Sequence, residues 1–188
     1  IIGGFRPIAD CIDDERGFGY LDDRDLNDFV DGTENPRDEE RAEAVLVAEG
    51  SYAGGTHLLI QKYLDREAAW DALTTEEQEG VIGRTKFDDI EIADAKKQPF
   101  AHNVKSKVEI NGEEIDMYRQ NRAIGTALEH GTMYVGFAAS PHTLLTSLHQ
   151  MITADADGNY DHLLDFVEAR TGAIYFVPPQ GFLDELSG

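Results

Sequence analysis

The segment Phe29-Val30-Asp31-Gly32-Thr33-Glu34-Asn35-Pro36 sets one carboxylate between an apolar pair and a turn sequence. Gly32 permits close backbone approach and Asn35-Pro36 fixes a turn, so Asp31 reads as an aimed carboxylate suited to proton transfer. The plainer alternative is an Asx turn without chemistry. Arg119 and Asn121 are two apart at what is expected to be the end of a strand, so their side chains share a face. A guanidinium beside a carboxamide suits polarising a small oxygen ligand, although a salt bridge is the commoner use of such an Arg.

Six histidines are present. His102 stands alone in a loop after Pro99-Phe100-Ala101, a candidate metal ligand without a His-x-x-x-His partner. His57 lies in an apolar strand and reads as structural. His142 and His149 are two helical turns apart, too far to share an ion. His130 precedes Gly131 in an expected turn, and His162 falls in an expected helix. The run Asp155-x-Asp157-Gly158 lacks the glutamate and glycine placement of a calcium loop. Gly54-Gly55 precedes a strand rather than a helix, so it is not a phosphate-binding loop.

These groups need a scaffold. Residues 1–55 are rich in Asp, Gly and Arg and lack a clear period. Residues 56–63 read as a mostly buried strand. Asp65 is expected to cap a helix to about Leu73, and Thr74 and Thr75 to start a second, ended by Gly83. Residues 84–106 read as loop. Val108 to Ile110 and Glu114 to Arg119 flank Asn111-Gly112, a hairpin signal. Thr132 to Ala138 is the next strand. Pro141 opens a helix whose Leu144, Leu145, Leu148, Met151 and Ile152 share a face, with Trp70 expected in the core. A helix over 161–169 and a last strand over 173–177 follow, ended by Pro178-Pro179. Strands joined by a tight hairpin predict an α+β domain: an antiparallel sheet with helices on one face, arranged as in ferredoxin.

The composition narrows the function classes. The 188 residues are ample for one domain and short for two. Asp and Glu total 37 against 16 Lys and Arg, a net charge of −21, which repels nucleic acid and anionic lipid. No apolar run approaches the roughly 18 residues of a membrane span. The single Cys11 excludes an intrachain disulfide and any multi-cysteine metal site. The chain opens Ile1-Ile2-Gly3-Gly4-Phe5, with neither Met nor a signal-peptide pattern, so it is expected to be processed or part of something longer.

The ordered motifs resemble one family. Gly17-Phe18-x-Tyr20-Leu21-Asp22-Asp23-Arg24-Asp25-Leu26, followed by the Asp31 segment, is similar to the dye-decolorising (DyP-type) haem peroxidases. So are Gly54-Gly55-Thr56 before Gln61-Lys62-Tyr63, Val81-Ile82-Gly83-Arg84-Thr85-Lys86-x-Asp88-Asp89, and Ala101-His102-x-Val104. Arg119-x-Asn121, Asn159-Tyr160-Asp161 and Phe182-Leu183-Asp184 continue the match. That family is a tandem of two ferredoxin-like halves forming a dimeric α+β barrel. The chain resembles the second half, with 1–55 a connector carrying the distal haem loop, 56–188 the haem-binding domain, and the first half apparently absent.

The resemblance implies haem b as cofactor, hydrogen peroxide as oxidant, and dyes, phenols or porphyrinogens as donors. His102 becomes the iron ligand, and Asp161, or Asp165 one turn on, the acceptor behind it. Asp31 becomes the distal acid–base, kept ionised by Arg119, which also stabilises charge on the departing oxygen; Asn121 orients peroxide or water. Gly32, Thr33 and Glu34 line the cofactor, and Arg84 pairs with a propionate. Two departures bear on substrate preference: Asp28 stands where the family has Gly, adding a carboxylate that could raise Asp31 or face solvent. Arg122-Ala123-Ile124 adds a cation near the distal face. Other readings are a haem-handling protein for iron release or porphyrin oxidation, and a non-catalytic module that self-associates. A homo-oligomer, a cytoplasmic location, no nucleic-acid or membrane partner, and a preference for cationic donors complete the expectations.

Overall fold

The computed structural model describes residues 8–187; the opening residues 1–5 lie outside them. Four antiparallel strands form the main sheet: β1 (Thr56–Asp65), β4 (Tyr118–Gly125), β5 (His130–Ala138) and β6 (Val167–Val177), in the order β4-β5-β1-β6. Numbered within the sheet by chain order, that is 2-3-1-4, the ferredoxin-like arrangement. β2 (Glu109–Ile110) and β3 (Glu113–Glu114) form a separate small hairpin. Asn111 and Gly112 both take positive φ (56° and 84°) in its two-residue turn, as the Asn-Gly pair predicts.

The helices are α1 (Asp38–Val45), α2 (Glu67–Asp71), α3 (Thr75–Ile82), the single turn α4 (His102–Lys105), α5 (Pro141–Ile152) and α6 (Gln180–Ser187). Thr74 and Glu77 make a reciprocal capping box on α3, and Gly83 at φ 89° ends it. Ser140 caps α5 ahead of Pro141. One core cluster joins Leu59, Val108, Met117, Ala138 and Leu144 between sheet and α5. A second gathers Phe29, Trp70, Val81 and Ile82, which puts Trp70 in the core as expected. No helix among the described residues is long and apolar enough to cross a membrane.

Several boundaries differ from the sequence reading. Arg119 lies near the start of a strand, not its end, because pairing with β5 runs from Tyr118 on to Gly125. Asp65 ends β1, and Arg66 precedes α2 instead. His130 begins β5 rather than sitting in a turn. The helix expected over 161–169 is only a 3-10 turn, His162–Asp165; pairing with β1 claims the chain from Val167. Tertiary pairing thus outweighs local helix propensity at that point.

Candidate functional site

A cleft opens between the sheet and the helices, with about 1350 Å³ of empty space counting its mouth. β1 contributes Leu59, Gln61 and Tyr63, and β4 contributes Arg119 and Asn121, in each case alternate residues of one sheet face. Leu144, Leu148 and Met151 of α5, with Leu163 and Leu164, form the apolar wall opposite. Asp31 and His102 both line this cleft.

His102 opens α4, and its Nδ1 lies 2.6 Å from Asp161 Oδ2. Asp161 is fully buried, and its Oδ1 accepts from the Leu163 N–H at 3.0 Å, capping the 3-10 turn. Two groups thus pin one carboxylate, and the carboxylate fixes which imidazole nitrogen is free. Nδ1 carries the shared proton, leaving Nε2 as the free nitrogen of a ring that lines the cleft. Of the two acceptors expected here, Asp161 takes the position; Asp165 instead accepts from the Tyr160 hydroxyl at 2.7 Å.

Across the cleft, the loop carrying Asp31 runs along the free edge of β4. Asn35 seals it there: its side chain accepts from Arg119 N–H and donates to Arg119 O. Gly32, at φ 73°, lies close under Asn35, where an added Cβ would stand 2.6 Å from Nδ2. Asp31 Oδ2 then accepts from the Asn121 N–H at 2.8 Å. Arg119 reaches Ser106 Oγ at 3.2 Å rather than pairing with Asp31. The expectation that Arg119 keeps Asp31 low is corrected: burial pushes Asp31 up, and the Asn121 N–H, Arg119 and Arg122 offset only part. Asp28 turns away, toward the Tyr20 hydroxyl and Lys86.

At the mouth, Arg84 is held on three sides. Its Nε bonds Asp89 Oδ1, its Nη2 bonds Asp89 O, and its Nη1 bonds Glu34, each at 2.7 Å. Thr33 Oγ1 donates to the other Asp89 oxygen at 2.6 Å. Gly32, Thr33, Glu34 and Arg84 therefore gather as one hydrogen-bonded rim.

The structure also brings in a residue for which no motif suggests a role. Asp25 lines the cleft, and its Oδ2 accepts from Asn121 Nδ2 at 2.8 Å. Burial, then the nearby Asp31, raises its pKa to about 7. It lies in the charged run Asp22-Asp23-Arg24-Asp25, and nothing periodic in that run marks which carboxylate turns inward. The other histidines stay outside: His57 bonds Ala139 O and packs on Phe176, while His162 stacks on Phe100. Asp155 spends its carboxylate on Lys105 and on the turn N–H groups of Asp157 and Asn159.

Residues 22–182 match the family model described as Dyp-type peroxidase, C-terminal. A dye-decolorizing peroxidase of Rhodococcus erythropolis is 41% identical, over 94% of this chain and 53% of its own length. One from Brevibacterium linens is 38% identical, over the whole chain and 53% of its own length. Among solved structures, a DyP-type peroxidase protein from Shewanella oneidensis superposes with a TM-score of 0.93 at 36% identity, over 98% of this chain and 61% of that one. A variant of the Rhodococcus jostii RHA1 protein DypB, solved in complex with heme, gives 0.89 at 39% identity, over 92% and 57%. The chain spans about half the length of the curated relatives it matches.

Proposed function

The chain belongs to the DyP-type peroxidases, and on that premise we propose that its cleft holds haem b and supports peroxide-dependent oxidation of small organic donors. The observation that carries this reading is the His102–Asp161 pair on one wall of the cleft that Asp31, Arg119 and Asn121 line on the other.

The residues fit the cofactor. His102 is a lone imidazole donor: among the described residues no three His, Cys, Asp or Glu side chains gather around an ion. Such a donor suits a metal that brings its own macrocycle. The buried Oδ1 of Asn121 has no partner among the described residues, as expected of an acceptor that a ligand with a proton to donate would satisfy. The apolar wall of Leu144, Leu148, Met151 and Leu163 suits a porphyrin face.

Bound haem would supply the redox centre, reducing peroxide and recovering electrons from the donor. The chain does the rest. Asp161 accepts from Nδ1, so Nε2 of His102 would hold the iron, with more electron density on the imidazole than an unpaired ring would have. Asp31 would take a proton from one peroxide oxygen and return it to the other, its raised pKa suiting a group that does both. Arg119 lowers the energy of negative charge building on the departing oxygen. Asn121 orients the peroxide through Oδ1. Gly32, Thr33 and Glu34 would line the cofactor, and Arg84 would pair with a propionate.

The same reading divides the chain into a connector over residues 1–55, which brings Asp31 to the cleft, and a ferredoxin-like unit over 56–188. It also includes self-association, for which the partly exposed Ile174 and Phe176, on one face of β6, supply apolar surface. Light scattering on the hemin-loaded chain checks that part, and a strict monomer refutes it.

Hemin titration followed by absorption tests the centre of the reading. A Soret band typical of histidine-ligated ferric haem, lost in His102→Ala, is the expected result; no spectral change with the unaltered chain sinks it. In the loaded chain Asp31→Ala is expected to slow the peroxide reaction about 10²–10⁴-fold. Undiminished rates in both Asp31→Ala and Arg119→Ala refute the roles given to them.

A further inference from the structure

Asn121 is gripped by two carboxylates at once. Asp31 Oδ2 takes its backbone N–H, and Asp25 Oδ2 takes its side-chain Nδ2, each at 2.8 Å. In its ionised form Asp25 can only accept, so it faces the NH2 end of Asn121, as the Nδ2 contact shows. The opposite end, Oδ1, is then left buried and without a partner among the described residues, on a side chain whose residue lines the cleft.

Asp25 is itself fixed in place. Its N–H donates to Phe29 O at 2.9 Å and its carbonyl accepts from Asp28 N at 2.9 Å, closing a tight loop. Arg24 staples that loop to the segment after α3, donating to Asp28 O at 2.6 Å, Lys86 O at 2.7 Å and Phe87 O at 3.2 Å. The position of the carboxylate is therefore set by backbone and not by solvent. A group so held acts on its partner as a rigid template.

We propose that Asp25 is a positioning residue that fixes the Asn121 carboxamide with Oδ1 toward the cleft, making the site an acceptor selective for ligands that donate a hydrogen bond. This rests on the peroxidase reading, and it adds the device that gives Asn121 its polarity. Peroxide and water satisfy the acceptor; anions that only accept, such as fluoride, meet a lone pair there and are disfavoured. Without Asp25 the amide is free to turn, and Nδ2 becomes available to the cleft. The two ligand classes then move in opposite directions, which general damage to the site would not produce.

The test compares the unaltered chain with Asp25→Ala and Asp25→Asn. In the hemin-loaded chain, Asp25→Ala is expected to slow the peroxide reaction about tenfold and to tighten fluoride binding, read from the spectrum, by a similar factor. Asp25→Asn keeps an acceptor oxygen and is expected to restore most of both changes. Weakening of both ligands together in Asp25→Ala, or no change in either, overturns the proposal. A haem-free readout separates it from the peroxidase reading. In nuclear magnetic resonance of the hemin-free chain, the Asn121 side-chain NH2 protons should be shifted downfield and slow to exchange, and both features should vanish in Asp25→Ala. If no chain binds hemin, the peroxidase reading falls. The resonance result then decides this one, and Asn121 signals indifferent to Asp25→Ala refute it.

Discussion

Replacing Asp161 by Asn tests the site where structure and chemistry meet most closely. The wild-type carboxylate has two oxygens and two donors, His102 Nδ1 at 2.6 Å and Leu163 N at 3.0 Å. Asn offers one oxygen, so one donor must face an NH2 group. If the oxygen stays with His102, the cap of the 3-10 turn is lost, at a cost of ~1 kcal/mol. If it stays with Leu163, the amide repels the Nδ1 proton, and the imidazole must move that proton to Nε2. That tautomer removes the lone pair a metal would use. Either way the negative charge behind the ring is gone, and losses of such outer partners weaken metal affinity by about 10–100-fold. The complete burial of Asp161 leaves no room for water to replace the missing acceptor. Hemin titration of the Soret band reads the affinity, and urea denaturation of the hemin-free chain reads the cap. Asp165→Asn is the control, since among the described residues the Asp165 carboxylate takes the Tyr160 hydroxyl and its backbone carbonyl the Arg66 side chain, with no contact to His102. Asp161→Asn matching the unaltered chain in both assays refutes the reasoning, as does an equal loss in Asp165→Asn.

Two further outcomes follow from the distal side. Gly32→Ala forces a side chain into a positive φ of 73° and against Asn35 Nδ2, so it should cost ~1–2 kcal/mol in urea denaturation; an unchanged midpoint would show that the loop is not built on that contact. Asp25 has a folded pKa of about 7 against 3.8 for an ordinary Asp, so between those values the folded chain holds a proton the unfolded chain has released. Stability of the hemin-free chain must then fall as pH rises from about 4 to 7, by up to ~4 kcal/mol from this group. Self-repulsion at a charge of −21 adds to the same trend, so the discriminating measurement is the slope of stability with pH in Asp25→Asn. A slope identical to that of the unaltered chain shows that Asp25 is not ionising inside the fold.

Much of the scaffold is legible along the chain because it depends on neighbours in sequence. The capping box at Thr74, the stop at Gly83, the Asn111-Gly112 turn and the Pro141 helix start are all local devices, and each is found where its residues stand. The segment after Asp161 is different. Its helical pattern yields to β6 because Val167 to Val177 complete the edge of the sheet beside β1, a partner about a hundred residues earlier. Strand ends fail for the same reason: the long ladder between β4 and β5 is a non-local choice.

The site divides along the same line. The motif order, through its resemblance to the family, offers His102, Asp31, Arg119, Asn121 and Asp161 as candidates, and the fold brings them to one cleft or beside it. Which of two aspartates backs the imidazole is a matter of distance in space, and the fold chooses Asp161 over Asp165. The ionisation of Asp31 depends on a balance between desolvation and surrounding cations, and burial outweighs Arg119 only once the cleft is formed. Asp25 shows the limit most clearly. Among the 37 acidic residues its letter is ordinary, and only the closed loop that aims it at Asn121 makes it part of the site. Residue types set what chemistry the chain can offer; the packing of the irregular connector against a sheet edge decided which of its carboxylates would meet.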